Sequence, residues 1–210
     1  MYIYEQEKNN LYVHHEIMLS AFPLDIQWLK VGLGSINSGQ PTKGNYAIVA
    51  SFLPEIEIWN LDLTEAIQPD VVLGGEIANT KKKPKKFTNY SKKYRPGSHT
   101  DSVTTLSLNH SNLAVMASGS IDSTLKVWDI GKEVCVHTAA HHTAAVKKVE
   151  WNSVDVSVLL CASEDRNISV LDSRFPADHI LHHCGEEIER YAWGKLVRAG
   201  TATTSPKSGM

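Results

Sequence analysis

His99-Thr-Asp-Ser-Val103 and His142-Thr-Ala-Ala-Val146 open two stretches of chain that run in register at a constant offset of 43 residues. Ser120-Ile-Asp122 falls on Ser163-Glu-Asp165, and Trp128-Asp129 on Leu171-Asp172, with no gap between the landmarks. A period of about 40–45 residues with a Trp-Asp ending is that of a four-stranded propeller blade. The strand pattern agrees. Leu113–Ser120 and Leu125–Trp128 are short apolar runs separated by Asp122-Ser123, and Val158–Ser163 and Ile168–Leu171 repeat them around Asp165-Arg-Asn167. Such runs bounded by turn residues read as strands.

The residue types predict a buried polar relay. A carboxylate taken out of water needs a donor, which an imidazole N–H supplies. His99 to Asp122 and His142 to Asp165 span the same 23 residues, so each pair can close the same loop. The second ring nitrogen is expected to meet a Ser hydroxyl, and that hydroxyl the indole of Trp128. Ser118 and Ser120 are both candidates, since alternate residues of a strand share a face. The second copy keeps Ser163 but carries Cys161 and Leu171, which predicts a shorter and weaker relay. An Asp–His pair also invites a catalytic reading. No Ser or Cys sits in a nucleophile motif nearby, so no catalytic residue is expected, and the relay is read as structural.

Residues 1–75 read as a degenerate first blade, with Pro23–Trp28 as inner strand, Asn45–Ser51 and Ile56–Trp59 as the next two, and Val71–Leu73 as the outer one. Pro54 stands near the turn position, so no His–Asp relay is expected there. Residues 32–44 read as a loop. Blades are assigned to 99–137 and 138–182. Residues 183–193 are read as the first strand of a fourth unit, because Ile188–Trp193 matches Val146–Trp151. Residues 194–210 are read as a disordered tail. The expectation is an all-β chain, a partial β-propeller of about three four-stranded blades plus the first strand of a fourth. An arc of this kind is expected to leave two sheet faces open, and Trp28, Trp59, Trp128, Trp151 and Trp193 are expected in the core.

The 210 residues carry a net charge of −2, but unevenly. Eight of the 21 Lys and Arg lie in 81–95, a segment without a single acid, leaving 13 against all 23 Asp and Glu elsewhere. Residues 76–98 are therefore read as a basic insertion between blades. Lys81, Lys82, Lys83, Lys85, Lys86, Lys92, Lys93 and Arg95 have three readings. They form a solvated loop, a nuclear-targeting signal, or a contact to an RNA or rDNA backbone, with Phe87, Tyr90 and Tyr94 placed to stack on bases. Cys135, Cys161 and Cys184 are too few for a disulfide framework. The paired histidines lack metal-ligand spacing, and no phosphate loop or dinucleotide fingerprint appears. No cofactor, metal, membrane or small-molecule substrate is expected.

The order of Leu11-Tyr-Val-His-His-Glu-Ile-Met-Leu19, Pro23-Leu24, Trp28-Leu29, Gly44-Asn-Tyr46, Ile56–Asp62 and a Lys-rich loop before His99-Thr-Asp101 resembles the periodic tryptophan protein 1 family of WD-repeat proteins. Phe175-Pro176 after Asp172-Ser-Arg174 is similar to that family's Asp-x-Arg-x-Pro ending. The likeness covers residues 4–193 and departs in lacking later blades and an acidic N-terminal extension, so the chain is read as a shortened version. The resemblance implies a non-enzymatic nuclear scaffold, largely nucleolar, in ribosome biogenesis and rRNA production, with pre-ribosomal or chromatin proteins as partners. Two other functions stay open: nucleic-acid binding through residues 81–95, and a ubiquitin-ligase substrate receptor.

Overall fold

A computed structural model of the chain describes residues 2–13, 16–38, 43–77, 92–174 and 179–185. Among these, three four-stranded antiparallel sheets follow one another along the chain. The first is β3 (Pro23–Val31), β4 (Lys43–Ser51), β5 (Glu55–Asn60) and β6 (Val71–Gly74). The second is β7 (Val103–Leu108), β8 (Val115–Ser120), β9 (Leu125–Asp129) and β10 (Val134–Ala139). The third is β11 (Val146–Trp151), β12 (Val158–Ser163), β13 (Asn167–Asp172) and β14 (His179–His183). Each is a meander in which sequential strands pair, as short connections require. The fold is all-β, a partial propeller of WD blades. A separate hairpin, β1 (Tyr2–Glu5) with β2 (Asn10–Val13), precedes them.

The three inner strands share a device. Each carries a register shift near its start, between Pro23 and Asp25, Val103 and Thr105, and Val146 and Lys148. A bulge adds twist and turns the strand out of its loop.

Packing between neighbouring sheets makes two cores. Leu29, Ile48, Ile56, Ile58 and Leu73 of the first sheet meet Leu106, Met116 and Trp128 of the second. Ala117, Leu125 and Val127 of the second meet Val146, Val149, Trp151 and Leu159 of the third. Polar bonds lock the seams: Asp25 accepts the Leu106 N–H at 2.7 Å, and the Trp151 indole donates to Ser107 O at 3.0 Å.

Several expectations need correction. The inner strand of the first sheet runs on to Val31, and a six-residue helix, α1 (Leu33–Ser38), forms inside the segment read as loop. Leu33 and Ile36 reach the first core, which a loop rich in Gly and Ser does not suggest. Trp28 is not core. It is 60% exposed, whereas Trp151 is 2% exposed. On β3 the inward positions are Asp25, Gln27, Leu29 and Val31, and Trp28 falls on the opposite face by alternation. Its ring lies under the Lys30 ammonium at 5.1 Å. Trp28→Ser is therefore expected to change the urea midpoint by less than the equivalent of about 0.5 kcal/mol. A loss as large as that of a core tryptophan would show that Trp28 is covered.

The two end faces are not equally open. Leu160, Ala162 and Ile168 on the far side of the third sheet are buried, with Cys184 packed against them. On the first sheet Ile26 and Trp28 are exposed while Glu57 and Trp59 are buried. His183 belongs to β14, the outer strand of the third sheet. Residues 186–193, read as the start of a further unit, and the tail 194–210 lie outside the described residues, as do Trp193 and the Phe175-Pro176 ending.

Candidate functional site

The most highly organised side chains are the two relays beneath the turns joining second and third strands. In the second sheet, His99 Nδ1 lies 3.0 Å from Asp122 Oδ2, and His99 Nε2 lies 2.7 Å from Ser118 Oγ. The Trp128 indole donates to Ser118 Oγ at 2.8 Å. Proton bookkeeping gives one consistent assignment. Trp128 N–H donates to Ser118, Ser118 O–H donates to His99 Nε2, and His99 Nδ1–H donates to Asp122. Asp122 also accepts the backbone N–H of Thr100 and both the N–H and O–H of Thr124. The bond from Thr124 N–H closes an Asx turn and holds Ser123 at φ 65°. Ser120 is not part of this chain. It sits at the strand end, two residues beyond Ser118, where its hydroxyl donates to Asp101 O and accepts from Asp122 N–H.

The third sheet reuses the plan with one substitution. His142 Nδ1 lies 2.9 Å from Asp165, which also accepts the Thr143 and Asn167 amides. Arg166 takes the same φ of 65° as Ser123. Ser163, expected as the relay hydroxyl, instead copies Ser120: it donates to Ala144 O and accepts from Asp165 N–H. The hydroxyl that meets His142 Nε2, at 2.9 Å, is Ser169 on β13. Cys161 occupies the position of Ser118, and Ser169 reaches across from the next strand. His141 Nε2 lies 2.8 Å from the same oxygen, so His141 donates where His142 accepts. The relay ends at Ser169 because Leu171 has no N–H. It is shorter than its counterpart in the second sheet by one link, and the histidine keeps both of its contacts.

The first sheet has a relay of another chemistry. Ser20 Oγ donates to Glu57 Oε1 at 2.5 Å, and the Trp59 indole donates to Glu57 Oε2 at 2.9 Å. Ser20 lies in the loop that corresponds to His99's, so a Ser–Glu–Trp chain replaces Asp–His–Ser–Trp. The sequence signal for it is Glu57 two places before Trp59 on a strand, a carboxylate set between Ile56 and Ile58. Asn109 and Asn152 were also missed. They stand at the same offset of 43, and each caps its loop by accepting two backbone amides.

Burial sets the electrostatics. It pulls the His99 pKa below the ordinary imidazole value, Asp122 opposing only in part, so the ring is neutral. Burial opposes ionisation of Asp122, but hydrogen bonds from His99, Thr124 and the Thr100 amide outweigh it and hold the carboxyl well below its usual range. Against the same opposition, the Thr143 amide, His142 and the Asn167 amide hold Asp165 at about 2. Burial, with His142 and His179 close by, lowers His141 to about 4. Its ring stacks on His179 at 4.3 Å. Burial pushes the Cys161 thiol up to about 12, which leaves it a poor nucleophile at neutral pH.

These shifts fix a pH dependence. The unfolded chain takes up protons on His99 and His141 near pH 6.5, and the folded chain does so only at lower pH. Stability is then complete above about pH 7 and falls as pH drops from about 6.5 toward 4. Asp122 and Asp165 add a second loss as pH falls below about 4. The urea midpoint is expected to trace both steps, and a midpoint constant from pH 7 to 5 would contradict the neutral buried rings.

Asp122, His99 and Ser118 have the order of a hydrolytic triad, but they cannot act as one here. His99 and Ser118 are fully buried, and the Ser118 oxygen is already occupied by the Trp128 indole. The array is a strut that holds two loops. Among the described residues no group of His, Cys, Asp and Glu is placed to hold a metal ion. Lys92 pairs with Glu76 at 2.6 Å, and Arg95 donates to Val72 O. Together with the Glu76–Tyr94 bridge they pin the base of the basic insertion. Lys93 offers its carbonyl to Ile77 N–H. Lys81, Lys82, Lys83, Lys85 and Lys86 lie outside the described residues.

Comparison with known proteins fits this geometry. The family described as "WD domain, G-beta repeat" matches residues 91–129. Periodic tryptophan protein 1 of Saccharomyces cerevisiae is 35% identical over 203 residues, covering 91% of this chain and 35% of that protein. The periodic tryptophan protein 1 homolog of Drosophila melanogaster is 28% identical over 197 residues, 92% of this chain and 39% of its own length. An uncharacterized WD repeat-containing protein of Schizosaccharomyces pombe is 43% identical over 136 residues, 65% of this chain and 25% of its own. The chain thus spans between 25% and 39% of the length of these relatives.

Proposed function

The chain is a WD-repeat relative of periodic tryptophan protein 1, similar to it along nine-tenths of its length, and on that premise we propose that it is a non-enzymatic scaffold. It works in ribosome biogenesis and rRNA production through contacts with pre-ribosomal or chromatin proteins, in the nucleus and chiefly the nucleolus. The observation that carries this reading is the sealing of the Asp–His–Ser arrays. The residues best suited to chemistry are spent on holding turns in place, and the turns they hold face solvent. A rigid scaffold that presents loops is a binding architecture. The test is affinity purification of the tagged chain from growing cells, with and without nuclease, read by mass spectrometry. Pre-ribosomal proteins retained after nuclease treatment support the scaffold, and their absence from both samples would refute it.

A second reading rests on residues 81–95, which hold eight basic residues and no acid. If the segment contacts nucleic acid, affinity for RNA falls steeply with salt and drops when Lys81, Lys82, Lys83, Lys85 and Lys86 are changed to Ala. If it is a nuclear-targeting signal, deleting 79–91 removes nuclear accumulation of a fluorescent fusion.

A further inference from the structure

The turns above the struts are built alike in all three sheets, yet they differ in what they show to solvent. Phe52 N–H donates to Phe22 O, Ile121 N–H to Ser102 O, and Glu164 N–H to Ala145 O. Phe52, Ile121 and Glu164 therefore occupy one repeated position on one rim. The backbone makes the bond and the side chain is free, so the fold does not dictate its chemistry. In the third sheet the position holds Glu164, paired with Lys147 at 2.5 Å, as expected of an idle surface. In the first and second it holds Phe52 and Ile121, 56% and 43% exposed. Phe22, 71% exposed, stands beside Phe52 with ring centroids 6.1 Å apart.

A carboxylate is tied to the backbone of this same rim. Ser102 Oγ reaches both Phe52 O at 3.0 Å and Asp101 Oδ1 at 3.3 Å, and the Ser102 amide donates to Asp101 Oδ1 at 2.7 Å. Asp101 is exposed. Lys92, whose ammonium the Asp101 charge reaches, is paired with Glu76 at 2.6 Å. Among the described residues no basic side chain pairs with Asp101.

Building on the scaffold reading, we propose that Phe22, Phe52, Asp101 and Ile121 form a docking site for a partner peptide that presents an arginine or lysine next to an apolar side chain. The apolar residue packs against Ile121 and Phe52, and the cation meets Asp101 with its face or stem against a phenylalanine ring, where the π-quadrupole adds to the ion pair. The unpaired Asp101 carboxylate beside exposed apolar side chains favours a cationic segment over an acidic one. The chemistry selects a basic-apolar peptide and disfavours a phosphopeptide.

The test uses the full chain and an array of nonapeptides in which one central residue is fixed and its neighbours are Leu or Phe. Central Arg or Lys is expected to bind about ten-fold better than central Glu, as for one charge-assisted contact. Asp101→Asn, which still caps Ser102, and Phe52→Ser are each expected to weaken the basic peptides by about five- to ten-fold. Asp101→Lys is expected to transfer the preference to Glu peptides, and Glu164→Gln to leave binding unchanged. Melting curves show whether each variant keeps the wild-type fold. No preference for Arg or Lys, or a preference that survives both Asp101→Lys and Phe52→Ser, overturns the assignment. Pre-ribosomal proteins that co-purify with a chain lacking the preference would keep the scaffold reading and remove only this site. A preference without such proteins would do the reverse.

Discussion

Asp122→Ala lowers the unfolding free energy by about 3 kcal/mol, and Asp165→Ala by about 2 kcal/mol, in proportion to the buried donors each leaves unmatched. Asp122 accepts from the His99 ring, the Thr100 and Thr124 amides and the Thr124 hydroxyl. Asp165 accepts from the His142 ring and the Thr143 and Asn167 amides. The difference also reaches deeper. His99 is tied through Ser118 to Trp128, which packs between the first and second sheets, so losing Asp122 loosens a seam as well as a turn. His142 ends at Ser169. Equal or reversed shifts in denaturant midpoint would contradict this order.

Gly119→Ala is expected to cost about 2–3 kcal/mol, the range for forcing atoms into a filled core. A β-carbon at 119 would stand 2.3 Å from Val146 Cγ1 and 2.9 Å from Thr105 Cγ2. The Val146 side chain of the third sheet packs there directly onto the Gly119 backbone of the second, and Thr104 Oγ1 donates to Val146 O across the same seam. Removing the obstruction should restore part of the loss. Gly119→Ala with Val146→Ala is then expected to lose less than the sum of the two single changes, a coupling that distinguishes overpacking from a general strand defect. Strict additivity of the two would rule out the contact.

The repeat at 43 residues made the second and third sheets legible, because every landmark in it is a structural necessity. The turn Asp, the loop His and the two-strand apolar alternation each have one physical role, so their spacing encodes the sheet. The first sheet was legible only as strands. Its relay uses Ser20 and Glu57 with neither a His nor an Asp, and a pattern search keyed to His and Asp passes over it. The choice between Ser118 and Ser120 could not be made from alternation alone, since both lie on one face. What decides it is distance along the strand to the ring, a three-dimensional quantity. Ser169 was hidden for the same reason, lying on a different strand from the residue it replaces. Trp28 was misjudged because tryptophan suggests burial, while alternation from Leu29 places it outward.

The rim was only partly legible in the sequence, for a further reason. Ile121 and Glu164 match at the offset of 43, but Phe52 joins them only through the backbone bonds to Phe22, Ser102 and Ala145, and the three positions share no one chemistry. Positions of this kind, fixed in place and free in identity, are where a repeat fold can acquire partners without losing stability.

Native-state hydrogen exchange on wild type and Asp122→Ala tests most directly the central claim, that three sheets form one stack braced by buried struts while the N-terminal hairpin stands apart. In wild type, amides of β8, β9, β12 and β13 are expected to exchange slowest. Those of β1 and β2, whose described side chains are largely exposed, are expected to exchange fastest. In Asp122→Ala, faster exchange is expected to spread from the 120–124 turn through β7, β8 and β9 and across the seam into β11. A hairpin protected as strongly as β8, or an effect confined to the turn, would contradict the account.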